Sequence, residues 1–278
     1  MIEAVQFLFP PFVAFIAVLG ILGYLGIHVL EREIIFIDIS LAQIAATGST
    51  FAFILYRQEM HGHTSNTTRL FAIGFTIVAA AFFAYVSNSV KRISQETVIG
   101  VSYAIAAAAT LFLLATAAGS DVHMEEMLTG SLLWSQWPDI FHISIVFAAA
   151  GLVHYVFRNQ FTKISSDYTG AEREGMRVML WDFLFYAIMG IVITYTVEFV
   201  GVLLTFSLLI IPSTFSAIFA KRWSSRLIIA WVFGIGVGIS GLAFSFFTDF
   251  PCGPSVISIM GIVLIFASVV NMAFPRSG

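Results

Sequence analysis

The chain reads as an all-α, polytopic membrane protein. Hydrophobic residues make up 59% of it and charged residues 10%, against roughly 25% charged in soluble domains. Mean hydropathy is +0.95. Apolar runs of the roughly 20 residues needed to cross a bilayer recur from one end to the other. Short polar stretches separate these runs, and the charges gather there.

Nine candidate spans follow in order, at about 11–30, 35–56, 70–90, 97–118, 139–157, 178–197, 199–219, 227–247 and 255–274. The expectation is thus eight or nine transmembrane helices in one domain, 1–278. The first run has no basic segment before it and no small-residue cleavage site after it, so it reads as a span and not as a signal peptide. The sixth and seventh runs are nearly fused, with Glu198 and Gly201 marking a turn. Residues 248–254, TDFPCGP, carry the turn chemistry that separates the last two spans. A single cysteine, Cys252, excludes an internal disulfide or a thiolate metal cluster.

Charge distribution orients the bundle. If residues 158–177 face the cytoplasm, that side receives eleven of the thirteen Lys and Arg residues: Arg32, Lys91, Arg92, Arg158, Lys163, Arg173, Arg177, Lys221, Arg222, Arg226 and Arg276. Arg57 and Arg69 remain on the other side. The positive-inside rule then puts the N-terminus outside and the C-terminus inside.

The segment 158–177, RNQFTKISSDYTGAEREGMR, is the longest clearly polar one and has room for a short helix. Asp167 is placed to cap it. Ala171 and Gly175 follow at i+4 and i+8, where small residues on one face admit a close partner surface. A docking element and a solvated connector both fit. No segment is long enough for an ATP-binding module, and no G-x-x-x-x-G-K-[ST] phosphate loop occurs. Any energy from ATP must come from another chain.

Inside the spans, polar side chains carry the information, because helices satisfy their own backbone. In the second span Ser40, Gln43, Thr47 and Thr50 form one stripe, with Asp38 near its start and Gly48 beside it. A face lining a polar path and interhelical hydrogen bonding, worth about 0.6 kcal/mol per bond, both account for the stripe. Asp182 and Glu198 also sit near span ends. No acidic or basic residue sits clearly at mid-membrane, which argues against a proton-coupled carrier and fits mechanical opening and closing. Pro212 bends the seventh span, as a tolerated kink or a gating hinge. Ser213, Thr214 and Ser216 are positioned to answer the carbonyls it frees.

His28, His142 and His154 are isolated and read as packed side chains. His61 and His63 share an outer segment with Glu59 and Met60, and His123 shares another with Asp121, Glu125 and Glu126. Imidazole and carboxylate together suit Zn²⁺, Mn²⁺ or Fe²⁺, while solvated loop polarity explains the same residues. Intramembrane enzymes show paired Asp residues or His-Glu-x-x-His, and neither occurs.

Five stretches, in order, resemble one family. They are GILGYLGIHVLERE; IFIDISLAQIAATGS; DYTGAEREG with Asp167, Ala171 and Gly175; FVGVLLTFSLLIIPSTFSAIFAKR with Gly201, Leu203, Leu204 and Pro212; and FFTDFPCGPSVI with Asp249, Pro251, Gly253 and Pro254. They resemble the zinc/manganese/iron ABC transporter permeases, the ABC-3 membrane subunits. The resemblance implies a type II ABC importer-like permease in the prokaryotic plasma (inner) membrane, not itself an enzyme. It implies a second copy of the chain, a cytoplasmic ABC ATPase subunit docked through Asp167, Ala171, Glu172, Arg173 and Gly175, and an extracytoplasmic metal-binding protein. The divalent metal is the transported substrate, no intrinsic cofactor is expected, and nucleic acid is not among the partners.

The sequence departs from the family at the second helix, where an Asp four residues before a His often serves as a metal contact. Those positions here are Ile39 and Gln43, and Asp38 is displaced by about 100° round the helix. Asp38 and Gln43 are then the best path candidates in this helix. A permease of the same fold carrying a metal chelate, or an exporter, is the alternative.

Overall fold

The structure, a computed structural model, describes residues 2–56, 66–89, 93–115 and 132–273, and all regular elements among them are helical. They are α1 (Ile2–Glu31), α2 (Ile37–Tyr56), α3 (Asn66–Ser89), α4 (Gln95–Ala115), a 3₁₀ turn (Leu132–Trp134), α5 (Trp137–Val156), α6 (Arg158–Ser166), α7 (Tyr168–Arg173), α8 (Val178–Val200), α9 (Val202–Phe219), α10 (Trp223–Thr248) and α11 (Cys252–Ala273). Nine of them are long and apolar enough to span a bilayer, in the order expected from sequence. The first helix begins well before residue 11 and contains both Pro10 and Pro11.

Helix ends follow local chemistry. Gly201, with φ of 81°, separates α8 from α9. That backbone region suits glycine, so one residue makes the break and Glu198 stays helical. Asp249 takes φ of 56° at the end of α10, and Pro251 follows. The turn is then closed by Ser245 Oγ donating to the Phe250 carbonyl at 2.7 Å and Ser255 Oγ to the Pro251 carbonyl at 2.8 Å.

The chain forms two compact units. The first comprises Met1–Leu30, Leu128–Gly151 and Glu198–Gly278. Small residues set its spacing: a Cβ on Gly26 would lie 1.9 Å from the Leu209 carbonyl oxygen, so α1 and α9 touch backbone to backbone. Trp231 Nε1 donates to the Gly20 carbonyl at 3.1 Å. His28 is buried between Tyr24 and Trp223, at ring separations of 4.8 and 4.6 Å. This is the packed histidine expected from sequence. At Pro212 the Ser213 hydroxyl bonds the Leu209 carbonyl at 2.8 Å and approaches that of Gly23 at 3.3 Å, and Ser216 bonds the Ser213 carbonyl. The carbonyl that a proline here deprives of its donor is that of Leu208. The hydroxyls therefore tie the helix together beside the proline and do not answer the freed group itself.

The second unit comprises Glu31–Met127 and Leu152–Val197. In it α2 packs closely on α3 at Gly48, where a Cβ would come within 2.8 Å of the Phe71 carbonyl oxygen. Large apolar side chains such as Phe112, Phe141, Phe247 and Ile262 are exposed along the spanning helices. For a bundle solvated by lipid this is the expected outer surface.

Candidate functional site

The polar segment 158–177 folds as the pair α6–α7, continuing into α8. Asp167 caps α7, its Oδ1 accepting from Gly170 N at 2.9 Å, which leaves fewer free donors in the first turn. The apolar face is turned inward. Ile164, Ala171 and Val178 form a small core with Tyr168, Met176 and Trp181 around it, and Phe161 stacks on His154 at 4.2 Å. Ala171 is 0% exposed, so it seats α7 on its own chain and does not offer a surface to a partner. The helix also stops at Arg173, and Gly175, with φ of 78°, turns the chain back. Gly175 therefore does not extend a helical small-residue face. The residues that the segment exposes include Arg158, Asp167, Thr169, Glu172, Arg173, Glu174 and Arg177. Lys163 pairs with Glu174.

Beneath this surface lies a polar network that sequence reasoning did not assemble. Arg32, just past α1, pairs with Asp182 on α8, Nη1 to Oδ1 at 2.8 Å, with the side chains 5% and 0% exposed. Arg32 Nε donates to Ser165 Oγ on α6 at 2.9 Å, and its guanidinium lies 4.1 Å from the Phe185 ring centre. Asp182 Oδ2 accepts from the Tyr168 hydroxyl at 3.2 Å and from Asn88 Nδ2 at 3.4 Å. Ser87 Oγ lies 3.4 Å from the same hydroxyl and donates to Gln95 Oε1, whose amide in turn donates to the Tyr186 hydroxyl. Burial pushes the Tyr168 phenol up to about 12, and the neighbouring Asp182 carboxylate adds to that shift. Tyr168 therefore stays a hydrogen-bond donor at neutral pH.

The stripe on α2 divides in two. Gln43 Nε2 donates to Thr110 Oγ1 on α4 at 3.1 Å, and Thr47 Oγ1 lies 2.8 Å from that oxygen and 3.1 Å from the Ala106 carbonyl. These two side chains are spent on a seam between α2 and α4. Asp38 and Ser40, 1% and 0% exposed, each keep an oxygen with no hydrogen-bond partner among the described residues. Thr50 is also buried. A recess of about 490 Å³ between α2, α3 and α4 is walled by side chains such as Ile44, Phe75, Phe82 and Val101, and offers a cation almost no ligands. No three His, Cys, Asp or Glu side chains converge on a point among the described residues. His61, His63, His123, Glu125 and Glu126 lie outside the described residues. His142 is exposed and His154 buried.

The model of the ABC 3 transport family matches residues 4–271. The chain belongs to the ABC 3 transport family. It is a multi-pass membrane protein and the non-catalytic permease subunit of an ABC transporter. A "Probable metal transport system membrane protein" of Thermotoga maritima is 29% identical over 187 residues, covering 67% of this chain and 66% of that protein, just under two thirds of its length. The manganese transport system membrane protein MntC of Halalkalibacterium halodurans is 23% identical over 205 residues, covering 73% and 68%. The solved structure of PsaBC from Streptococcus pneumoniae in complex with Fab aligns over 96% of this chain and 93% of that one, at TM-score 0.78 and 23% identity. It has the same fold.

The residues missed from sequence left one faint signal. Asp182 is a lone charge within the start of one apolar run and Arg32 stands between Glu31 and Glu33 at the end of another, and opposite charges at two such ends are candidates for one buried pair. Nothing in sequence spacing joins positions 150 residues apart.

Proposed function

We propose that this chain is the permease of an ABC importer for divalent metal ions, with Mn²⁺, Zn²⁺ and Fe²⁺ as candidate substrates. One observation carries the reading: the family match runs from residue 4 to 271, and relatives over much of that range are named for metal and manganese transport. In this reading residues 1–278 act as one permease domain, with the N-terminus outside and the C-terminus inside. Two copies form the pore, an ATPase subunit docks on each 158–177 segment, and an extracytoplasmic protein delivers the metal. ATP binding and hydrolysis then alternate access between the two sides.

Several features support the assignment of parts. The exposed Glu172 and Arg173, on a helix seated by Ala171 and capped by Asp167, present a fixed charged surface to a partner, and Gly175 shapes its end. On α2, Asp38 and Ser40 hold buried oxygens available to a cation or its water shell. Thr50 continues that side of the path, while Gln43 and Thr47 form its wall against α4. Pro212 serves as the hinge. His61, His63, His123, Glu125 and Glu126 supply metal contacts on the outer side.

The test is uptake of radiolabelled Mn²⁺ into proteoliposomes holding the permease with its ATPase subunit, competed by Zn²⁺ and Fe²⁺. Saturable, ATP-dependent uptake is expected. Failure to move any of the three ions removes the reading. The second reading, a metal carried as a chelate, is favoured by Ile39 and Gln43, neither a good ligand for a divalent ion. Uptake that requires an added chelator establishes it. Asp38→Ala is expected to cut uptake about tenfold, the loss of one contact of about 1.4 kcal/mol, with the membrane level unchanged. Full uptake in that variant takes Asp38 off the path.

A further inference from the structure

Asp182 receives hydrogen bonds from three separate elements: the turn after α1 through Arg32, the end of α3 through Asn88, and the start of α7 through Tyr168. Arg32 extends the set to α6 through Ser165. Both members of the central ion pair are almost fully removed from solvent. Such pairs are a poor source of stability, because desolvating two charges offsets their attraction, and apolar replacements are often as stable. What a buried, multiply bonded carboxylate does supply is fixed geometry. Apolar contacts alone would let α6 and α7 slide over α8. Directional bonds to one carboxylate resist that sliding.

We propose that Asp182, Arg32 and Tyr168 are positioning residues that pass movement of the α6–α7 surface to α8 and to the end of α1. This rests on the reading of 158–177 as the site where the ATPase subunit docks. Arg32 follows α1 directly in the chain. It therefore ties the docking helices to the end of α1. Force applied at Glu172 and Arg173 reaches α8 through Tyr168–Asp182 and reaches α1 through Arg32.

The test uses the complete complex in proteoliposomes, with Tyr168→Phe and Asp182→Asn measured against the parent. Three quantities are read: ATPase chain bound per permease, ATP hydrolysed, and Mn²⁺ taken up. Tyr168→Phe keeps the ring and removes the hydroxyl that meets Asp182 and Ser87. Asp182→Asn keeps the shape and removes the charge. Both are expected to retain the ATPase chain and its hydrolysis while uptake per ATP falls about fivefold or more, the lower end of ordinary coupling between sites. A purely structural role would lower all three in proportion to the amount of folded protein and leave the ratio unchanged. An unchanged ratio in Tyr168→Phe, with the complex intact, overturns the proposal even if Asp182→Asn fails to accumulate. If the parent itself binds no ATPase chain, the docking reading is lost, and this proposal is lost with it.

Discussion

Tyr168 is half-buried at the foot of α7, with its hydroxyl held by Asp182 on one side and near Ser87 on the other. An unfolded tyrosine ionises near pH 10, and burial raises this one to about 12. A folded-state value above the unfolded one means the contribution is complete below about pH 10 and is lost as the pH rises through about 12. Melting curves of the detergent-solubilised protein at pH 8 and pH 11 should therefore fall further apart for the parent than for Tyr168→Phe, which cannot ionise. Equal separation in the two proteins would show that this phenol does not titrate with folding. The same residue shows what sequence withheld. An aromatic two positions before a glycine in a polar loop gives no hint of a partner on another helix, because hydrogen-bond partners are fixed by packing.

At the level of helices, the sequence carried most of the information. Each span was readable because about 20 apolar residues in a row have few other solutions. The caps at Asp167 and Gly201 were readable because their chemistry is local. The inward turn of Ala171 was not, since a small residue suits a close partner surface and a close intramolecular seat equally well. The helix contact at Gly26 belongs to the same class: only packing reveals that a Cβ there would meet the Leu209 carbonyl oxygen at 1.9 Å. Gly26→Val should force α1 and α9 apart. Overpacking typically costs about 1–3 kcal/mol, and a backbone contact that cannot rotate away puts this substitution at or above the upper figure. Size-exclusion traces after graded heating should show the variant lost at a lower temperature than the parent. Identical traces would mean the two helices are not in contact.

For the complete permease, fold and family were readable in sequence, and the division of labour on α2 was not. One polar stripe supplied two roles: Gln43 and Thr47 bond to α4, while Asp38 and Ser40 keep buried oxygens with no partner among the described residues. A stripe of period 3.6 identifies a face and does not say which neighbour meets each position along it. Import driven by a separate ATPase chain requires that α6–α7 be its contact on the permease. Since Cys252 is the only cysteine, replacing it with serine gives a background in which a single new cysteine reports one position. With Arg173→Cys in that background, a thiol-reactive photocross-linker should join the permease to the ATPase chain, whereas Phe247→Cys, on an exposed apolar position of α10, should not. A complex that hydrolyses ATP yet gives no cross-link from position 173 would contradict the account.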